Sequence, residues 1–142
     1  KIDEHILGFI AVKNRLPCPD SDADGYENCG VNSGSFPYKE FGLNEDYAGV
    51  GSIPVKYAVF RNSSANADLT NITDFFNPTD SHGEVTTLNQ INGLDFCTAL
   101  TNAKSSTFNS SFAHIILPSG VSAAVPYVLV TVTRFVVKIL MN

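Results

Sequence analysis

The sequence predicts an α+β domain, with an amino-terminal helix, a long irregular loop, and an antiparallel β-sheet backed by a second helix. Three observations carry that prediction. Ile2, Ile6, Phe9, Ile10 and Lys13 recur at helical spacing. The runs 53–60 (IPVKYAVF) and 127–133 (YVLVTVT) alternate as strands do. Few residues separate the strand candidates, which leaves little room for crossover helices and favours antiparallel pairing. At 142 residues the chain has the length of one domain, on a scale of roughly 100–200 residues each. That is enough to bury a real core.

Each element has its own local signals. The first helix carries Asp3 and Glu4 early, where the helix dipole favours acids. It should stop near Asn14, because Leu16 precedes Pro17 and Pro19 follows. Residues 17–51 are rich in proline and glycine and hold seven of the 14 acidic residues, from Asp20 to Asp46. A loop this long is more often functional or tied down than idle. Phe36, Tyr38, Phe41 and Tyr47 are expected to pin it to the body. In 53–60, Ile53, Val55, Tyr57 and Val59 share one face, and Pro54 suggests an edge position or a first residue. Residues 62–82 read as loop. Thr87-Leu88-Asn89-Gln90 matches a capping box opening a helix. Its stripe runs through Leu88, Ile91, Leu94 or Asp95, Phe96, Cys97 and Leu100 to about Ala103, with Gly93 weakening or splitting it. Residues 112–117 form a strand candidate ended by Pro118-Ser119-Gly120, 127–133 the clearest strand, and 135–140 an apolar run that extends as strand or turns as helix. No internal repeat is visible.

Charged residues make up 16% of the chain, well below the usual ~25%. Uncharged polar residues take their place: 13 Asn, 13 Ser and 10 Thr. A net charge of −5 without a charge block or basic excess argues against nucleic-acid binding, long disordered tails and coiled coil. No apolar stretch reaches 18 residues. Abundant amides and hydroxyls, few lysines and some cysteines fit an exported protein.

Three cysteines allow three pairings, and sequence alone does not choose among them. Cys18–Cys29 is the expected pair, since neither residue sits in an apolar helical or strand pattern; the alternative is two free buried thiols. The bridge would close a short loop worth roughly 3 kcal/mol. Cys97 then remains, and its place on the apolar stripe predicts a buried free thiol rather than a nucleophile.

Between Cys18 and Cys29 runs Asp20-Ser-Asp22-Ala-Asp24-Gly25-Tyr26-Glu27-Asn28, the D-x-D-x-D-G half of a calcium loop. Alternate residues of a tight turn can aim three carboxylates at one hard cation. Gly25 permits the reversal, Tyr26 offers its backbone carbonyl, and Glu27 or Asn28 would complete the set. The twelfth position of the complete EF-hand is Val31 where a bidentate Glu belongs, and prolines replace the entering helix. The candidate calcium ligands are therefore Asp20, Asp22, Asp24, Tyr26 and Glu27 in a variant site. The competing reading is a solvated acidic turn whose carboxylates bond nearby amides.

A catalytic reading finds little. His5, His82 and His114 fall in separate segments, and the common metal, nucleophile and phosphate motifs are missing. Asp80 beside His82 is a neighbour pair that such loops produce by chance. The sequons at Asn62, Asn71 and Asn109 follow from composition. A non-enzymatic protein is expected.

The run from Asn14 to Gly25, N-R-L-P-C-P-D-S-D-A-D-G, resembles a phrase that follows the amino-terminal helix in a group of bacterial type IV pilin-like proteins. Similar pieces follow in the same order: Cys29, the segment 34–43 (GSFPYKEFGL), Val55-Lys56-Tyr57-Ala58-Val59, the helix-like 92–100 (NGLDFCTAL), and the last strand with Arg134 and Phe135. The resemblance touches most of the chain, and the first phrase is its most specific part. It implies a pilin-like head built on a longer helix, whose hydrophobic half would precede Lys1. It further implies a minor pilin or pseudopilin of a type IV pilus or type II secretion filament. Such a subunit is anchored in the inner membrane, faces the periplasm or exterior, and joins other pilin-like subunits through that helix. The family often carries acids before its final strand, where this chain reads Ser122-Ala123-Ala124-Val125-Pro126-Tyr127. The alternative function is a calcium-dependent extracellular binding module or adhesin; a secreted hydrolase ranks third.

Overall fold

The computed structural model describes residues 2–50, 53–76, 91–131 and 135–138. The chain opens with α1 (Ile2–Lys13), which has Asp3 and Glu4 in its first turn and Lys13 in its last, matching the helix dipole at both ends. It ends at Asn14, in the left-handed conformation at φ 54°, whose N–H bonds the Ile10 carbonyl at 2.8 Å. Asparagine is one of the few residues that closes a helix this way. Ile6 and Phe9 are buried, with Ile2 and Ile10 packed against the core, so the expected stripe faces inward.

Among the described residues ten short strands follow: β1 (Ser33–Ser35), β2 (Gly49–Val50), β3 (Ile53–Pro54), β4 (Lys56–Val59), β5 (Arg61–Asn62), β6 (Ala67–Asp68), β7 (His114–Ile116), β8 (Ser122–Ala124), β9 (Tyr127–Val130) and β10 (Phe135–Lys138). Helix α2 (Gly93–Ser105) lies between β6 and β7. Four strands make the main sheet in the order β1-β4-β9-β10, every pair antiparallel. Tyr57 and Val59 of β4 and Tyr127 and Leu129 of β9 are buried on one side of it. They share a core with Ile6 of α1, Leu16, Phe36, Leu69, and Phe96, Ala99 and Ala103 of α2. Two polar tethers fix this layer: the buried Tyr57 hydroxyl donates to the Pro17 carbonyl at 2.9 Å, and the Tyr127 hydroxyl donates to Asp3.

The α+β class and the antiparallel sheet agree with the sequence, and several details differ. The run 53–60 is split: Val55, Tyr57 and Val59 are buried while Ile53 is 57% exposed, because β3 pairs in a two-stranded ribbon with β2. Pro54 sits in that ribbon, as an edge residue should, and β4 is interior to the sheet. Within 62–76, read as loop, β5 and β6 form a second ribbon, and Ala67, Leu69 and Ile72 reach the core. The expected capping box at Thr87 and Gln90 lies outside the described residues, as do His82 and Asp80. Helix α2 has its own box: the Asn92 side chain accepts from the Leu94 N–H at 2.8 Å, and Asp95 accepts from the Asn92 N–H at 2.9 Å. Asp95 is fully buried and also accepts from the Phe75 N–H, whereas Leu94 is 66% exposed.

That rotation corrects the expectation for Cys97, which is a free thiol on the exposed side of α2. The inward face runs Phe96, Ala99, Ala103, and one residue beyond Phe96 lies about 100° round the helix. The strand candidate 112–117 contains β7, paired with β8. Tyr127–Val130 is the strand within 127–133, where 132–133 lie outside the described residues. Of the apolar run 135–140, residues 135–138 extend as a strand against β9.

Candidate functional site: the disulfide-tied acidic loop

Cys18 and Cys29 are bonded, with Cα atoms 5.0 Å apart. Cys18 is buried, which places one end of the tie in the core and leaves the enclosed acidic segment at the surface. The loop is strapped to the sheet as well. The Asp20 N–H donates to the Ser35 carbonyl at 3.0 Å and the Ser35 N–H to the Asp20 carbonyl at 2.7 Å, an isolated bridge on the outer side of β1. A side chain at Gly34 would overlap the Asp20 carbonyl oxygen, so glycine is needed for this close approach.

Within the tie, Asp20 organises the turn. It is 2% exposed and accepts N–H bonds from Asp22 at 3.1 Å, Ala23 at 2.7 Å and Gly25 at 2.8 Å. Ala23 (φ 63°) and Gly25 (φ 92°) are left-handed, which turns successive amides toward one carboxylate. Asp24 accepts from the Tyr26 N–H, and Asn28 accepts from the backbone and hydroxyl of Ser21. Carboxylate oxygens of Asp20, Asp22 and Asp24 nonetheless lie within 4.8 Å of one another, the latter two exposed. Oxygens so close suit a small hard cation in chemical type.

The structure brings the three aspartates of the expected ligand set together and engages Glu27 elsewhere. Glu27 forms a fork with Arg15 at 2.9 and 2.5 Å and accepts from the Cys18 N–H at 2.8 Å. It stands with Cys18 and Cys29, whose sulfurs are consumed by the disulfide. Tyr26 is half exposed and lies beneath the Lys39 ammonium, 5.4 Å from its ring centroid. Lys39 also donates to the Asp24 carbonyl at 2.6 Å. Sequence reading did not find Lys39 or Arg15, because both reach the loop from outside it. Lys39 comes from the 3-10 turn Tyr38–Phe41, and only the fold makes it a neighbour.

The same brace recurs at the sheet edge. Arg61 pairs with Asp68 at 3.0 Å and donates to the Cys29 carbonyl at 2.6 Å, so β5 holds the second cysteine from the other side. A cleft of about 570 Å³ opens between Lys13, Arg15, Cys29 and Arg61. Both of its guanidinium groups are engaged by the carboxylates just named.

Burial alone would discourage ionisation of Glu27 and Asp68. Hydrogen bonds from Arg15 and the Cys18 amide outweigh it at Glu27 and hold that carboxyl below its ordinary range. Arg61 and Thr70 do the same for Asp68. A depressed folded pKa stabilises the fold above the unfolded value, near 4.3 for Glu and 3.9 for Asp. The contribution is lost as pH falls through the folded value. Urea midpoints should therefore be flat above about pH 6 and fall below about pH 4.5, with a shallower fall in Glu27→Gln. An acid limb unchanged in that variant would remove Glu27 from the account.

His5 packs edge-on to Tyr47 and Phe41, and His114 bonds the Phe112 carbonyl through its ring. The four aromatics expected to pin the long loop do so: Phe36 and Tyr38 are buried, Phe41 stacks on Phe36 and meets Phe9, and Tyr47 meets His5. Among the described residues, no helix is long and apolar enough to cross a membrane. No protein-family model, curated protein or solved structure matches this chain.

Proposed function

We propose that the chain is the head of a type IV pilin-like subunit, a minor pilin or pseudopilin whose role is structural and not enzymatic. The observation that carries this reading is the outer face of α1. While Ile6 and Phe9 face the core, Leu7 and Val12 are 37% and 77% exposed, with Gly8 and Ala11 exposed beside them. A helix whose outer face is apolar between the exposed Glu4 and Lys13 suits packing against further helices. On this reading α1 continues a hydrophobic helix that anchors the subunit in the inner membrane and then joins other pilin-like subunits in a filament. The Tyr127–Asp3 hydrogen bond and the buried Ile6 and Phe9 brace helix to head, as a subunit loaded along its helix requires, and the disulfide, the Asp20–Ser35 bridge and the Arg15–Glu27 fork fix the loop that follows the helix. The head would face the periplasm or exterior, with no nucleic-acid partner.

The upstream coding sequence tests the proposal. A short basic leader ending in Gly, then Phe or Met and ~20 apolar residues with Glu at the fifth, supports it. A secretory signal with a small-residue cleavage site contradicts it.

A second reading, a calcium-dependent binding or adhesin module, is favoured by the Asp20, Asp22 and Asp24 cluster. It ranks lower because Asp20 already accepts three amides and Lys39 supplies a cation beside Asp24. Calorimetric titration decides it: heat at millimolar calcium that disappears in Asp22→Asn/Asp24→Asn supports calcium, and no heat removes it.

A further inference from the structure

The disulfide and the carboxylate beside it form a second group of donor atoms, separate from the aspartates. The sulfurs of Cys18 and Cys29 and a carboxylate oxygen of Glu27 lie within 4.8 Å of one another. Two thiolates and a carboxylate are a zinc-type set, softer than the all-oxygen group of Asp20, Asp22 and Asp24. Bonded to each other the sulfurs offer no thiolate; parted, they offer two.

We propose that the reduced chain binds one Zn2+ through Cys18, Cys29 and Glu27, so that disulfide and metal are alternative ties for the same loop. The step balances. A dithiol supplies two electrons and two protons, closes to its own disulfide and leaves two cysteine thiols. Zinc binding then releases those two protons to solvent.

The ends of the loop are held in place without the S–S bond. The Asn28 N–H donates to the Pro19 carbonyl at 2.8 Å, one residue inside each cysteine. Arg61 holds the Cys29 carbonyl at 2.6 Å and Tyr57 the Pro17 carbonyl at 2.9 Å. Reduction therefore leaves the Cα atoms near their separation of 5.0 Å. The sulfurs of a tetrahedral zinc site stand about 3.8 Å apart, which rotation of the side chains alone supplies.

Glu27 is already oriented and keeps acceptor capacity. Its Oε1 takes one N–H from Arg15, and its Oε2 takes one from Arg15 and one from Cys18. An ionised carboxylate has about four acceptor positions, so one is left for a metal. The Arg15 fork is then the outer-shell partner that fixes a ligating carboxylate. Charge closes as well: two thiolates and one carboxylate are cancelled by Zn2+ and Arg15 together. That balance matters because Cys18 is fully buried, and buried charge must be paired. Cys29 is exposed and lines the cleft beside Arg15, which admits reductant and metal and leaves room for water as fourth ligand. This inference is independent of the pilin reading.

Cobalt titration is the test, on the full chain with Cys97→Ser so that only the two loop cysteines remain. After reduction and removal of the dithiol without oxygen, Co2+ should give near-ultraviolet thiolate-to-metal absorption that saturates at one ion per chain. Zn2+ should bleach it, and the oxidised chain should give none. Amide exchange in residues 20–29 of the reduced chain should slow when zinc is added, with β4 and β9 protected throughout. Glu27→Gln should keep the absorption and weaken zinc binding by about tenfold or more; the parent measurements stand whatever that variant does to folding. A reduced chain that loses protection in β4 and β9, one without thiolate absorption, or a Glu27→Gln variant of unchanged affinity overturns the proposal. So does cobalt bound without that absorption, which places the ion on oxygens alone.

Discussion

Gly34→Ala is expected to destabilise the fold by about 3 kcal/mol, a fall in Tm of roughly 10 °C for a chain this long. The reason is local and steric. A Cβ at Gly34 overlaps the Asp20 carbonyl oxygen and crowds Pro19, both held by the chain and not by a flexible side-chain end. Relief requires Asp20 to withdraw from β1, which breaks its two backbone hydrogen bonds with Ser35, each worth about 1 kcal/mol. Movement of Asp20 also disturbs a carboxylate that is 2% exposed and accepts three amides. Two other glycines calibrate the result. Gly30 has nothing within 4 Å of its would-be side chain, so Gly30→Ala should be nearly neutral. Gly8 lies in α1 with the same open space, where alanine should stabilise by roughly 0.5–1 kcal/mol. Thermal melts of the three variants give the comparison. Equal stability of Gly34→Ala and Gly30→Ala would falsify the strap between loop and sheet.

Removal of the disulfide, as Cys18→Ala/Cys29→Ala, should lower stability by about 3 kcal/mol through the chain entropy of the loop it closes. The loss should be felt unevenly. Arg15–Glu27, Arg61–Cys29 and Asp20–Ser35 hold both ends of the loop without the bridge, whereas the sheet depends on β4 and β9 pairing elsewhere. Amide exchange should accelerate first in residues 20–29 and remain slow in β4 and β9. Thiol counting sharpens the same point. The native oxidised protein should show one reactive thiol, Cys97, and three only after reduction and unfolding. Exchange that accelerates equally across sheet and loop would show that the tie supports the whole fold.

Much of this architecture was legible because single residues announce it. Pro17 and Pro19 stop α1, the alternation of Val55, Tyr57 and Val59 marks the buried face of β4, and Phe36 and Tyr38 declare that the long loop packs inward. The D-x-D-x-D-G spacing located the candidate site and the flanking cysteines located its tie. What escaped depended on contacts remote in sequence. Glu27 was assigned to a cation by its place in the motif, and Arg15 on the other side of Cys18 engages it instead. Asp20 reads as one ligand among three, yet the left-handed backbone at Ala23 and Gly25 makes it the acceptor that shapes the turn. Cys97 was misplaced because an apolar run cannot fix helix phase when the inward position is filled by Asp95, a carboxylate buried as a cap.

The central claim is that α1 continues a membrane-anchored helix and that the head serves a filament. The mature amino terminus of the natural protein, read by mass spectrometry from a membrane fraction, tests it most directly. The account predicts an N-methylated Phe or Met, followed by an apolar stretch that runs without interruption into Ile2–Lys13. An unmethylated terminus left by a small-residue signal cleavage, in a protein recovered free of membrane, would contradict it.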